Sequence, residues 1–144
     1  DKNERLSIMG VQQKTRGLHH VEIYVSNLHE SKIFWSWFLD LLGYEAYQSW
    51  DEGFSYIYGT TYIVFVQTAQ KHMDIKYHRC RTGLNHLAFW AQDRTEVESV
   101  TEQLIQKGVK ILYEEKHPHA GGDDYFAVFF EDPDRIKVEL VAPD

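Results

Sequence analysis

The chain writes one phrase twice. Gly17-Leu18-His19-His20-Val21-Glu22-Ile23-Tyr24-Val25 is answered by Gly83-Leu84-Asn85-His86-Leu87-Ala88-Phe89-Trp90-Ala91. Glycine, leucine and a histidine recur in register, so His20 and His86 are counterparts. Both copies alternate with period two, the mark of a strand whose faces differ. In the first copy Val21, Ile23 and Val25 make an apolar face, and His20, Glu22 and Tyr24 make the other. In the second, Leu87, Phe89 and Ala91 stand opposite His86, Ala88 and Trp90.

Each strand runs into a helix. Ser26 or Asn27 can cap a segment with Ile33, Phe34, Trp37, Phe38 and Leu41 on one side, ended by Gly43. Asp93 can cap a second segment with Val97, Val100 and Leu104 on one side, ended by Gly108. Three more strands are expected in each half, at about 44–50, 54–60 and 61–68, then at 109–115, 124–131 and 136–142. The breaks between them are Gly53, Gly59-Thr60-Thr61, the His117-to-Gly122 loop and Asp132-Pro133-Asp134.

The expected fold class is therefore α+β. Two tandem βαβββ modules form a curved, partly closed mixed-sheet barrel with the helices outside and the His/Glu/Tyr faces lining its interior. Residues 17–142 make one domain, with module 1 at about 17–68, a linker at 69–82 and module 2 at about 83–142. Residues 1–16 read as an N-terminal arm or appended segment, with Met9 as a candidate natural start.

The 144 residues suffice to bury a core without disulfides. Net charge is −7 and no basic stripe stands out, which excludes nucleic acid and anionic membrane surfaces as expected partners. No apolar run is long enough to span a bilayer. Cys80 is the single cysteine, which suits a reducing compartment, and a cytoplasmic location is expected.

Duplication places His20 and His86 across the expected cavity from one another. The last strand, Ile136-Lys137-Val138-Glu139-Leu140-Val141, turns Val138 and Leu140 toward the helices and leaves Lys137 and Glu139 on the concave side. A buried carboxylate is costly unless it is paired or bound to a cation. Two imidazoles and a carboxylate make a recognised set for a divalent metal. The competing reading makes each histidine a hydrogen-bonded core residue. His19 is expected to face away from His20, and the remaining histidines fall in a helix start, linker or loops.

On LHHVEIYVSNL, NHLAFWAQD and EDPDRIKVELV, the chain resembles the vicinal oxygen chelate superfamily. That group includes glyoxalase I, bleomycin-resistance proteins, extradiol dioxygenases, fosfomycin thiol transferases and methylmalonyl-CoA epimerases. The resemblance covers residues 17–142 and implies His20, His86 and Glu139 as ligands of one divalent metal ion: zinc, nickel, iron or manganese. It also implies a homodimer, in which a site can draw on both subunits. Arg135 replaces the usual glycine of the turn before the last strand.

Glyoxalase I and the epimerases resemble a four-ligand arrangement, and here the expected counterpart of Glu139 is Phe65, with Gln67 one step along. Phenylalanine cannot bind metal, which counts against glyoxalase I activity itself. A three-ligand set resembles the dioxygenases, but their tyrosine ten residues before the glutamate falls on Phe129. The expected pocket consists of Tyr24, Phe65, Gln67, Trp90 and Lys137, which suits a flat or apolar small-molecule substrate. Glu22 is a candidate general base or a partner for an imidazole. The reading is a metal-dependent lyase or isomerase acting on vicinal oxygens of a small substrate, with Glu139 catalytic as well as ligating. Its rivals are an extradiol-type dioxygenase and a metal-free binding protein like those that confer bleomycin resistance.

Overall fold

The computed structural model describes residues 16–144. The reading of residues 1–16 as an arm thus lies, but for Arg16, outside the described residues. The chain divides into two compact units, the first running to Met73 and the second from Asp74.

The first unit contains β1 (His20–Val25), α1 (Leu28–Leu41), β2 (Glu45–Trp50), β3 (Gly53–Tyr58), β4 (Thr61–Gln67) and a short 3-10 helix, Gln70–His72. Its mixed sheet has the order β1-β4-β3-β2, with β1 parallel to β4 and the other pairs antiparallel. This is the expected βαβββ module. Asn27 caps α1, its side chain accepting from the Glu30 amide at 3.1 Å, and Gly43 takes φ +86° just past the helix end.

The helix buries Ser31, Trp35, Phe38 and Leu39, a set spaced as i, i+4, i+7, i+8. The expected stripe is corrected accordingly: Ile33 is 60% exposed, and Trp35 takes the centre with no exposure. Trp35 packs on Phe65 at 4.9 Å between ring centroids, and Phe65 stacks on Phe54 at 5.0 Å. Gly53 has no room for a side chain, since a Cβ there would meet the Trp50 ring at 2.4 Å and the Phe65 carbonyl at 2.7 Å.

The second unit contains β5 (His86–Trp90), α2 (Arg94–Gln106), β6 (Ala127–Glu131) and β7 (Lys137–Val141). Its sheet has the order β5-β7-β6, with β5 parallel to β7 and β6 antiparallel to it. Asp93 caps α2 by accepting from the Glu96 amide at 2.8 Å, and Val97, Val100 and Leu104 are buried as expected.

The expected strand at 109–115 does not form. Ile111 makes one isolated bridge to Phe130, and the Leu112 amide donates to the Phe129 carbonyl at 2.8 Å. At Tyr113 the backbone takes φ +58°, and its carbonyl accepts from the amides of both Lys116 and His117. Paired extension thereby ends in a turn. The following strand also starts later than expected, at Ala127. In place of the missing strand, the loop from Leu112 to Phe126 packs on one face of the three-stranded sheet. Leu112, Ala127, Phe129 and Val141 form a small apolar cluster there, with Ala120 against it.

Candidate functional site

Strand pairing in the second unit brings unlike chemistry onto one sheet face. His86 lies beside Lys137 across β5–β7, and Phe129 lies opposite Glu139 across β6–β7. The face opposite carries Val138, Leu140, Val128 and Phe130, all fully buried. The loop after Leu112 adds Tyr113, Lys116, Gly121 and Tyr125, and together these residues line a cavity of about 440 Å³.

Glu139 is only 3% exposed, so its carboxylate needs partners. Tyr125 donates its hydroxyl to Oε2. The other oxygen, Oε1, lies 3.7 Å from His86 Nε2, beyond hydrogen-bond reach. Burial first, and then the bond to Glu139, push the Tyr125 phenol up to about 12. Tyr125 therefore stays protonated at neutral pH and acts as a donor.

His86 is oriented from its other nitrogen. Asn85 Oδ1 lies 2.8 Å from Nδ1, and the Asn85 amide is held by donating from Nδ2 to the Arg79 carbonyl at 3.1 Å. An amide oxygen only accepts, so neutral His86 carries its proton on Nδ1 and presents a lone pair at Nε2. Two donors each about 2.1 Å from one ion lie roughly 3–3.5 Å apart in octahedral or tetrahedral geometry. The pair His86 Nε2 and Glu139 Oε1 is close to that spacing, with each group held by a partner at its remaining polar atom. In donor chemistry the pair fits half of a divalent-metal centre. Among the described residues, no three His, Cys, Asp or Glu side chains already converge as a full set.

The first unit repeats part of this arrangement. His20 Nδ1 lies 2.8 Å from Nδ1 of His19, which holds the place that Asn85 holds before His86. This corrects the expectation that His19 faces away: it precedes the strand, and its ring stands edge-on to that of His20 at 5.1 Å. On its other side His20 stacks on Tyr62, with centroids 4.7 Å apart and planes at 3°.

Other expected site residues are placed differently. Val64 pairs with Glu22 as Glu139 pairs with Ala88, so Val64 is the counterpart of Glu139 by register. Phe65 matches Leu140 instead, and it is fully buried between Trp35 and Phe54 rather than facing a cavity. A slip of one residue exchanges the faces of a strand, which is the source of the difference. Gln67 is engaged at the start of α1: Oε1 accepts from the Leu28 amide, and Nε2 donates to the Ser26 carbonyl, both at 2.8 Å. Glu22 is exposed on β1, and Tyr24 and Trp90 are 61% and 73% exposed. Lys137 does line the cavity, its Nζ donating to the Tyr113 hydroxyl at 2.9 Å.

Sequence reasoning missed Tyr125, Lys116, Asn85 and His19. The first two lie in a loop without periodicity. The other two carried a readable signal, a polar side chain directly before each repeated histidine.

Residues 17–140 match the family model described as Glyoxalase/Bleomycin resistance protein/Dioxygenase superfamily. The chain is 54% identical over 126 residues to the uncharacterized protein YqjT of Bacillus subtilis (strain 168), covering 88% of this chain and 98% of that one. It is 56% identical to a protein from Bacillus halodurans whose crystal structure is provisionally described as a glyoxalase. That match has a TM-score of 0.89 and covers 91% of this chain and 98% of the other. The fold alone is shared with the fosfomycin resistance protein FosX of Listeria monocytogenes, at 21% identity and a TM-score of 0.63, over 89% and 93% of the two chains.

Proposed function

Since the chain belongs to the glyoxalase, bleomycin-resistance and dioxygenase superfamily, we propose that it is a metal-dependent enzyme of the lyase or isomerase type. Its substrate is a small molecule with two neighbouring oxygens, and its protein ligands are His86, Glu139 and His20. One observation carries this reading. His86 Nε2 and Glu139 Oε1 stand 3.7 Å apart, each group being held in place through its other polar atom. His20 is the third ligand because it is the repeat counterpart of His86 and is likewise engaged at Nδ1 by the preceding side chain.

When bound, a divalent ion at these residues supplies Lewis-acid polarisation to oxygens beside it, easing loss of a neighbouring proton. The chain's own groups prepare that chemistry. Asn85 fixes the His86 tautomer, and Tyr125 holds Glu139 Oε2 so that Oε1 stays turned to the cavity. The loop from Leu112 to Phe126 walls the cavity with Tyr113 and Tyr125. Glu22, exposed on β1, is the candidate to accept the substrate proton.

A second reading, ring cleavage by an extradiol-type dioxygenase, is favoured by one observation. The register counterpart of Glu139 is Val64, which leaves three protein ligands rather than four. We further propose a homodimer, supported by Tyr24 and Trp90, large aromatic side chains left exposed at matching repeat positions.

Elemental analysis of protein purified without added metal or chelator, repeated on His86→Ala, Glu139→Ala and His20→Ala, tests the ligand set. About one equivalent in the parent, its loss in His86→Ala and Glu139→Ala, and weakened, substoichiometric metal in His20→Ala is the expected result. Iron would move the dioxygenase ahead, and nickel or zinc the lyase. A parent that takes up no metal even after reconstitution would leave only a binding protein.

A further inference from the structure

The proposed chemistry leaves Lys137 unused. It stands two residues before Glu139 on the same strand face, about 6.7 Å along β7. Its ammonium is placed unusually. Nζ donates to the Tyr113 hydroxyl at 2.9 Å and lies 4.8 and 5.1 Å from the ring centroids of Tyr113 and Phe129.

No carboxylate among the described residues lies within ion-pair distance of Lys137. Glu131, opposite it across β6–β7, is taken by Arg79 at 2.8 Å and by Arg135 at 3.5 Å. A lysine has three N–H donors, and Tyr113 accepts one of them. Lys116 lines the same cavity. Lys137 thus shares the cavity with the carboxylate–imidazole pair: His86 is its neighbour across β5–β7, and Glu139 stands two residues along β7.

Tyr113 and Phe129 pack edge-to-face with centroids 5.5 Å apart. We propose that the substrate carries an oxyanion on a flat apolar body, the anion being received by Lys137 and Lys116 and the body resting against the Tyr113–Phe129 pair. This substrate class rests on the reading of His86 and Glu139 as the chelating pair. An anion is the counter-charge that a partly desolvated ammonium lacks, and it offers acceptors for the free N–H groups. The aromatic faces that already hold the ammonium suit a planar body beside it.

The test is calorimetric titration of the full chain with benzoate, phenylphosphonate and neutral benzamide, with and without a saturating divalent metal. Benzoate or phenylphosphonate binding at least tenfold tighter than benzamide is expected. Lys137→Gln should cut that advantage below about twofold while metal uptake persists, and Lys137→Arg should keep it. Lys116→Gln, at an exposed position that does not threaten folding, should weaken the anions alone. The ratio of benzoate to phenylphosphonate assigns the anion as carboxylate or phosphonate.

Equal binding of benzamide and benzoate, an advantage that survives Lys137→Gln, or no binding of any probe at millimolar concentration would overturn the proposal. Its fate is separable from that of the metal reading. Anion preference without metal uptake sinks only the latter, and metal uptake without anion preference sinks only the former.

Discussion

Replacing Tyr125 by phenylalanine isolates one hydrogen bond at the centre of the site. The ring stays, with its contact to Gly121, and the donor to Glu139 Oε2 is lost. A hydrogen bond to a charged group contributes about 1.5–3 kcal/mol, and Glu139 is buried, which argues for the upper end. Tyr125 is itself 37% exposed, so water can take the vacated place and pull the cost down to about 1–2 kcal/mol. At about 2.1 cal/mol/K per residue, a chain of 144 residues has an unfolding entropy near 0.3 kcal/mol/K, so Tm should fall by roughly 3–7 °C. The phenol titrates at about 12 in the fold and at 10.0 when unperturbed. Because the folded value is the raised one, its contribution is complete below pH 10 and is lost between pH 10 and 12. The deficit of the variant should therefore be constant from pH 7 to 9 and shrink above pH 10. Metal affinity, measured by competition with a chromophoric chelator, should weaken about 10- to 100-fold at unchanged stoichiometry, the usual effect of losing a group that orients a ligand. Unchanged Tm together with unchanged metal affinity would refute the reasoning and make Tyr125 a bystander.

Three further outcomes are expected. Gly121→Ala should displace the Tyr125 ring, because its Cβ would lie 2.3 Å from Tyr125 Cδ1; metal affinity should fall as in Tyr125→Phe, by the same chelator assay. Phe65→Ala should cost about 3–5 kcal/mol in urea unfolding without altering the cavity of the second unit, since Phe65 belongs to the α1 core. Burial, then His119, hold the His117 imidazolium below its ordinary 6.5. A depressed histidine contributes stability above pH 6.5 that is lost as pH falls through the folded value, so the urea midpoint should drop less between pH 7 and 5 in His117→Asn than in the parent.

The legible parts of the fold were those where side-chain contrast sets a phase. In β1 and β5 polar and apolar residues alternate, so the faces of His20 and His86 could be read directly. In β7, Lys137 and Glu139 mark one face against Val138 and Leu140. The run Tyr62-Ile63-Val64-Phe65-Val66 is apolar throughout, so its period-two phase has no marker, and the counterpart of Glu139 was displaced by one residue. Helix α1 did carry a marker at period 3.6. His29, Lys32, Ser36 and Asp40 share one face, and Ile33, expected on the buried side, lies next to that face, while the buried side lies opposite, around Trp35. The loop after Leu112 was beyond pattern reading, because its course depends on a left-handed Tyr113 and on packing against a sheet face formed elsewhere in sequence.

The repeat that reveals the fold also measures how far its halves have separated. The places of Lys137 and Glu139 on β7 are held on β4 by Tyr62 and Val64, so the charged pair of one unit is aromatic and aliphatic in the other. The strand β2 of the first unit has no counterpart in the second, where the equivalent chain becomes the loop that brings Tyr113, Lys116 and Tyr125 to the cavity. What both units keep is a histidine held at Nδ1 by the residue before it. Retention of that feature, while the residues after each histidine and on the facing strand differ, is hard to derive from packing, since His20 and His86 are both exposed on their strands. The ligating role proposed above would account for it and would carry an asymmetry. His86 and Glu139 form one prearranged pair, whereas His20 would contribute a single donor, its ring braced by an imidazole and a stacked phenol. Loss of His86 or Glu139 should therefore abolish metal binding, while loss of His20 should leave a weak residual site on the second unit.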